Sequence, residues 1–411
     1  MNLRVMHAVD YWVGIPLCLA VSTFDTVRSA FTSRPVAPPK RLLFIELSEM
    51  GSAVLAYPAI KEAVDRLGAD NVWFMIFERN REGVSVLNIL PDDHIITVSD
   101  RSLGGFARTV LQALARCRKA GIDTAIDLEL FSRCTALLTY LSGARIRSGF
   151  SAHTNEGLYR GSFLTHPLLY TPNHHMTQTY LALTRATFVA APGSEPLLKE
   201  RIDVDRVALP AFAPTPDIAR RMDAVLAGVP AGQRLVFFNP DPGILPLRGW
   251  PIDHFARLAA LLAAAYPDVT VAVVGLERTR PIADRILAGL PPGRALNLAG
   301  RTATLLDLLE LFRRGTALVT IDSGPAHFAG LTGIARIVLF GPETPRLYEP
   351  AGGRVDVCYA DLACSPCFSA ANHRTSNCTD NQCLKQIPPE QVLERLHRVL
   401  SGRTASSLSS A

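Results

Sequence analysis

The chain has 411 residues, 48% hydrophobic and 19% charged, with a formal net charge of +5 from 42 basic and 37 acidic side chains. These proportions exclude disorder over most of the length and leave room for two or three domains. The small basic excess suits an anionic substrate or an anionic membrane surface, and the dense basic stripe of a nucleic-acid binder is missing.

In chain order, Tyr11 to Val21 is almost wholly apolar, with Trp12, Ile15, Leu17 and Leu19. The run is too short to cross a bilayer, which takes about 20 apolar residues. Residues 1–33 read as an apolar helix anchored at a membrane interface, with Tyr11 and Trp12 at headgroup depth. The alternatives are a helix packed on the body of the protein and a signal peptide. The latter is poor, with one Arg before Asp10 and no clean cleavage site. Ser33–Lys40, rich in proline, reads as a linker.

Residues 41–205 alternate buried-strand and helix patterns: strands at Leu42–Leu47, Val72–Phe77, Ile95–Val98, Thr124–Leu128 and Arg145–Phe150, and helices at Ser52–Leu67, Phe106–Ala120 and Cys134–Leu141. Residues 206–233 read as a Pro- and Ala-rich linker with one short helix. The alternation restarts over 234–400: strands at Leu235–Asn239, Val269–Gly275, Ala295–Leu298, Ala317–Ile321 and Arg336–Phe340, and helices at Asp253–Ala265, Pro281–Leu290, Leu305–Arg313, Gly324–Leu331 and Pro389–Leu400. Such alternation predicts two Rossmann-like, doubly wound α/β domains facing a cleft. The Ser-rich residues 401–411 are expected to be a disordered tail.

Ligands of open α/β sheets bind beyond the carboxyl ends of the strands, so the loops there are the place to seek chemistry. In the second domain, Asp322-Ser323-Gly324-Pro325-Ala326-His327 lies where a strand yields to a helix. Asp322 or Ser323 can cap that helix, Gly324 permits close backbone approach, and the helix start favours a phosphate. The plainer alternative is an ordinary cap with a structural His. The loop from Asn239 carries Arg248, which can grip a diphosphate, and Trp250, expected to be packed. Gly275 and Glu277 follow another strand, where an acid often takes a ribose hydroxyl pair. In the first domain, Glu49, Gly51 and Ser52 follow the first strand, and Glu49 is a candidate general base. Glu129, Arg133, Arg147, Arg160 and His175 are candidates for gripping a hydroxyl-rich or acidic acceptor. Asp203-Val-Asp205 spells a metal-binding D-x-D, but beside the linker it reads as a solvated acidic pair.

Neither G-x-G-x-x-G nor G-x-x-x-x-G-K-[ST] occurs, which argues against a nicotinamide oxidoreductase or a P-loop enzyme. Cys364, Cys367, Cys378 and Cys383 are clustered with C-x2-C, x10, C-x4-C spacing. Four thiolates so spaced can form a structural zinc site; a disulfide pair or free buried thiols are the rivals. One local cluster in a large chain fits a cytoplasmic protein.

Taken in order, these segments resemble glycosyltransferase family 9, the heptosyltransferase family of lipopolysaccharide core synthesis, from about Arg41 to Leu400. The resemblance rests on Asn239-Pro240 leading to Arg248-Gly-Trp250-Pro251, Leu298-Ala-Gly300, Asp322 to His327, Phe340-Gly-Pro342, Cys364-x-x-Cys367, and, earlier, Gly51 through Pro58-Ala59-Ile60 and Asp127-Leu-Glu129. It implies a GT-B fold and inverting transfer with no metal or other cofactor required. The second domain would bind a nucleotide-sugar such as ADP-heptose, and the first a saccharide or lipid-linked acceptor. Arg248 stands where the family has a lysine on the diphosphate, Glu277 would meet the ribose, and Asp322 with the Ser323–Gly324 backbone would meet the sugar and phosphates. The expected place is the cytoplasm, peripherally on the inner face of a bacterial inner membrane.

One departure is visible. The family loop reads Gly-Asp with that Asp as base; here Ser52 follows Gly51, and a serine cannot serve as a carboxylate base. Glu49 stands in its place if the loop turns it inward. The alternative is a catalytically altered or inactive homologue that acts as a nucleotide-sugar-binding scaffold.

Overall fold

A computed structural model describes residues 3–31, 37–130, 132–150, 159–189, 198–203, 208–370 and 372–402. The chain divides into two compact units, Met1–Val207 and Ala208–Ala411.

The first unit runs α1 (Leu3–Trp12), α2 (Gly14–Phe31), β1 (Leu42–Ile45), α3 (Ser52–Leu67), β2 (Val72–Phe77), α4 (Arg81–Ser85), β3 (Ile95–Val98), α5 (Leu103–Ala120), β4 (Thr124–Asp127), α6 (Arg133–Leu141), β5 (Ile146–Phe150), β6 (His166–Leu168) and α7 (Met176–Ala186). The second runs α8 (Pro216–Leu226), β7 (Arg234–Asn239), α9 (Ile252–Ala265), β8 (Val269–Val273), α10 (Arg280–Leu287), β9 (Ala295–Asn297), α11 (Leu305–Arg313), β10 (Ala317–Ile321), α12 (Gly324–Phe328), β11 (Ala335–Phe340), α13 (Pro345–Tyr348), β12 (Val355–Tyr359), α14 (Gln382–Lys385) and α15 (Pro389–Leu400).

Each unit holds one six-stranded sheet, ordered β3-β2-β1-β4-β5-β6 and β12-β11-β10-β7-β8-β9. All pairings are parallel. Counted within its own unit, each sheet has the same order, 3-2-1-4-5-6, the doubly wound arrangement expected. The strand order reverses between β1 and β4, and between β7 and β10. At such a switch point neighbouring loops diverge and leave room for a ligand.

The strands form where sequence supplies unbroken apolar runs, because helices cover both faces of a parallel sheet. All six residues of β2 are buried. Helix ends follow local chemistry. Ser102 caps α5 through the Gly105 N–H, and Gly121 ends it in the left-handed region at φ 67°. Thr304 and Asp307 form a capping box on α11.

The short helices α4, α13 and α14 and three further elements, β6, β12 and α7, escape the sequence pattern. β6 is three residues long, and β12 is a half-buried edge strand containing Asp356. In α7 the buried Thr179 and Thr184 break the apolar periodicity, while their hydroxyls bond back to the His175 and Tyr180 carbonyls. The helix expected over Gly324–Leu331 is shorter: α12 stops at Phe328 and a 3-10 turn, Ala329–Leu331, follows.

α1 and α2 are packed against the first unit. Gly14, Cys18, Ser22 and Asp25 face inward. A Cβ at Gly14 would lie 2.8 Å from that of Arg133, so only glycine allows this approach. Among the described residues no helix is long and apolar enough to cross a membrane. Residues 32–36, Asp205 of the D-x-D and most of the Ser-rich tail lie outside the described residues.

Candidate functional site

In the second unit the loops after β7, β10 and β11 meet around the switch point. Asn239, buried at the end of β7, donates from Nδ2 to Thr320 Oγ1 at 2.9 Å and Ser323 Oγ at 3.1 Å, tying the β7 and β10 loops together. A 3-10 turn, Pro246–Arg248, then delivers Arg248. Trp250 beside it is 2% exposed, and its indole N–H donates to the Ile387 carbonyl at 2.9 Å, which fixes the loop.

Arg248 points into a cluster of charge. Its Nη2 donates to Glu343 at 3.0 Å, and its Nε lies 3.5 Å from Asp322 Oδ2. Arg374 approaches the same Glu343 oxygen at 3.3 Å. Asp322 and Glu343 are both buried. Two guanidinium groups thus face two carboxylates, a balanced set in which each charge offsets the desolvation of another. Arg248 is already charge-paired, and an incoming diphosphate would compete with Glu343 and Asp322 for it.

Ser323 holds the position before α12, but its hydroxyl bonds the Ile321 carbonyl at 3.1 Å and makes no cap. This corrects the expected capping role: Asn239 and Thr320 engage that hydroxyl from the sheet side. A Cβ built on Gly324 would meet nothing within 4 Å, so the backbone there is open to approach. Pro325 occupies the first turn and His327 is buried one turn on.

Gly275 is sterically required, because a Cβ would come within 2.7 Å of Thr279 Oγ1. Glu277 is exposed, and Arg280 grips both its oxygens at 2.7 and 3.0 Å, holding its carboxyl below the usual range. Gly300, at φ 74°, lets Glu277 lie against the Leu298–Gly300 turn: a Cβ there would fall 1.9 Å from Glu277 Oε2. The glycine of that turn therefore has a direct steric reason.

The zinc expectation does not fit the structure. Among the described residues no three His, Cys, Asp or Glu side chains are arranged to hold a metal ion. Cys364 and Cys378 are exposed while Cys383 is buried. Burial, and then the neighbouring Cys367, Cys378 and Cys364, push the Cys383 thiol up. The four sulfurs feel one another without converging as a ligand set.

In the first unit the corresponding loops follow β1 and β4. Glu129 Oε1 accepts the backbone N–H groups of Leu47 at 2.9 Å and Ser48 at 2.7 Å, joining the two loops across the switch point. Glu49 lies close by, and Ser52 donates to its Oε2 at 2.7 Å from the first turn of α3. Burial pushes the Glu129 carboxyl up to about 7, the charge of Glu49 adds to the rise, and the hydrogen bonds from Ser48 oppose it. Asp127 and Glu46 are buried at the ends of β4 and β1. This edge therefore gathers four acids, and the charges of Glu49 and Asp127 both act on Glu129.

The three predicted acceptor arginines turn inward. Arg133, 1% exposed, donates to Asp10 of α1 at 3.1 Å and to the Tyr159 carbonyl. Arg147 binds Asp25 of α2 at 3.4 Å and the Phe163 and Ala144 carbonyls. Arg160 pairs with the fully buried Asp127. Sequence position near strand ends does not reveal which way a side chain points, and these guanidiniums are tied to buried or half-buried carboxylates instead of lining an acceptor surface. His175 caps α7 through Thr177 N–H, in a capping box with Gln178. A cavity of about 280 Å³ opens where β5 and β6 end, lined by Phe150, Leu168, His174, Gln178 and Arg201 among others.

Sequence reading missed Glu343 and Arg374. Glu343 stands three residues past β11, where a strand-end acid could have been suspected. Arg374 sits in an irregular Cys-containing stretch without any periodic signal.

The profile of the family described as "Glycosyltransferase family 9 (heptosyltransferase)" matches residues 111–376. The chain is 28% identical over 230 residues to lipooligosaccharide heptosyltransferase 2 of Haemophilus influenzae, a match covering 55% of this chain and 63% of that protein. It thus spans a little under two-thirds of that relative's length. Among solved structures, the E. coli ADP-heptose lps heptosyltransferase II superposes with a TM-score of 0.65 at 20% identity, covering 88% of this chain and 99% of that one. A glycosyl transferase family 9 structure from Veillonella parvula gives 0.67 at 18% identity, covering 90% and 99%. These likenesses show the GT-B type of fold.

Proposed function

The chain belongs to glycosyltransferase family 9, and from that premise we propose that it moves a sugar, a heptose in the first instance, from a nucleotide-sugar such as ADP-heptose to a hydroxyl of a lipopolysaccharide-core or other lipid-linked acceptor. The observation that carries the reading is the convergence of Arg248, Asp322 and Glu343 at the β7–β10 switch point, beside the open backbone at Gly324.

The second unit then holds the donor. Arg248 exchanges part of its carboxylate pairing for the diphosphate, and the Ser323–Gly324 backbone receives further phosphate oxygens. Asp322 and His327 meet the sugar, Glu277 the ribose, and Asn239 keeps the two loops in register. The first unit holds the acceptor around Gly51, Ser52 and Glu129. Transfer is a single displacement with inversion. The acceptor oxygen attacks the anomeric carbon, the bond to the diphosphate breaks, and Glu49 takes the hydroxyl proton. Arg248 stabilises the departing nucleoside diphosphate in place of a metal ion. The acceptor's lipid chain sets this chemistry at the cytoplasmic face of a bacterial inner membrane.

A second assignment of the base is favoured by one observation: Glu129 is pushed up to about 7, close to the operating range of a general base. The charge of the neighbouring Glu49 adds to that rise.

The test is calorimetric titration of ADP-, GDP-, UDP- and CMP-sugars into the purified protein, followed by transfer assays on the donor that binds. One donor should bind, lose binding in Asp322→Ala, and keep it in Glu49→Gln while transfer falls. Binding without transfer to any core saccharide would instead indicate a nucleotide-sugar scaffold. No binding by the folded protein would remove the transferase reading.

A further inference from the structure

We infer that the outward face of α1 and α2 is a docking surface for an anionic lipid bilayer. This rests on the reading above that the acceptor is lipid-linked, and it gives that acceptor's membrane a place on the protein.

The two helices carry polarity the wrong way round for a surface element. Their inner stripe, packed on the first unit, holds Ser22 and Asp25 beside Gly14 and Cys18, with Asp10 directed to Arg133. The outer surface is apolar: Trp12 is 75% exposed, Phe24 60% and Phe31 85%, with Val13, Leu17 and Val27 between them. Of the sixteen exposed large hydrophobic residues in the described chain, nine lie within 9–31. Isolated exposed apolar residues are ordinary, but so dense a patch marks an interaction surface.

Two further observations choose the occupant. The only acids of this segment, Asp10 and Asp25, both bond arginines of the body, Arg133 and Arg147. The outward face therefore offers no carboxylate to repel anionic headgroups, and Arg28 is exposed on it. The hydroxyls of Thr23, Thr26 and Ser29 bond the carbonyls of Leu19, Ser22 and Thr26, so they are hidden in their own helix as an apolar medium demands. A second copy of the chain would suit a narrow seam at Val13, Leu17, Phe24, Val27 and Phe31 flanked by opposite charges. Here Trp12 and Leu19 widen the apolar surface beyond a seam, and flanking acids are missing. The breadth, the exposed Arg28 and the aromatic residues are those of a helix lying in an interface.

The attachment is also placed for function. Asp10 Oδ1 accepts the N–H groups of Arg133 and Cys134, each at 2.9 Å, and so caps α6 directly after the loop that carries Glu129. A bilayer on α1–α2 would lie beside the carboxyl edge of the first sheet.

The experiment is sedimentation of the full-length protein with vesicles of phosphatidylcholine alone or with about 30% phosphatidylglycerol, the latter composition being the anionic test of this proposal. Trp12 emission is followed with brominated lipid; Trp73 and Trp250 are buried and serve as an internal baseline. The protein should sediment with the anionic vesicles, with Trp12 quenched, and Phe24→Glu with Phe31→Glu should weaken binding at least about tenfold. The melting temperature and nucleotide-sugar binding of that variant should stay unchanged, since both side chains are exposed. The inference is overturned if the protein stays in the supernatant, if the variant sediments equally, or if light scattering shows a dimer that Phe24→Glu dissolves. Failure of the transferase reading would look different: docking would persist while no nucleotide-sugar bound.

Discussion

The two sheets share one strand order, yet their switch points hold opposite chemistry. In the second unit two arginines are set among buried carboxylates, so each charge there has an opposite partner. In the first unit the acids gather, and Glu129 is held by neutral backbone amides, which leaves its charge poorly compensated. The same backbone frame thus carries paired arginines and carboxylates in one unit and clustered acids in the other. The difference lies in residues at and just past the strand ends, as expected when function is carried by sites set on a common fold.

The largest expected effect tests the acidic side. Glu49→Gln should lower turnover by about 10²- to 10⁴-fold with donor affinity retained, the range of a lost general base. If Glu129→Gln shows that loss and Glu49→Gln does not, the base is reassigned within the pair. Next, Arg160→Ala strands the buried Asp127 and should cost about 3–5 kcal/mol of stability, read by chemical denaturation. On the cationic side, Arg248→Ala should lower transfer by about 10²- to 10³-fold, with Arg248→Lys recovering part of it. An equal loss from Glu343→Gln would show that the carboxylates position Arg248 and do not merely store it.

A smaller effect is the pH dependence of Glu129. Its carboxyl is raised to about 7 in the folded chain, so the native state holds a proton that the unfolded state releases near 4.3. The resulting stabilisation is complete below the unfolded value and is lost as pH rises through about 7. Melting temperatures across that window should fall less steeply in Glu129→Gln. If Glu129 is the base, the rising limb of kcat/KM near pH 7 should move to lower pH in Glu49→Gln, which removes the neighbouring charge. The smallest effect serves as a control: Arg285→Ala breaks an exposed pair with Asp253 and should change stability by less than about 0.5 kcal/mol.

Much of the strand-end cluster in the second unit was legible in sequence. Asn239, Arg248, Asp322 and Gly324 follow strands whose apolar runs are unmistakable, and the topology brings those loops together. Arg374 was not legible, because its loop has no periodic pattern, whereas Glu343 stands just past a strand and went unread. In the first unit Glu49 and Glu129 were recognised singly, but the action of the Glu49 charge on Glu129 was not. Arg133, Arg147 and Arg160 were misjudged, since a guanidinium beside a strand end looks the same in sequence whether it faces solvent or a buried carboxylate.

Sequence by itself determined the two βαβ series, the strand-end loops and the family, because apolar periodicity and glycine or proline placement are local properties. Only the tertiary structure decided which charges meet. It showed that Asp10 and Asp25 tie α1 and α2 to Arg133 and Arg147, and that Arg248 rests between Asp322 and Glu343. Those pairings join residues far apart in the chain, and a buried charge takes its partner from what lies within a few ångströms in space.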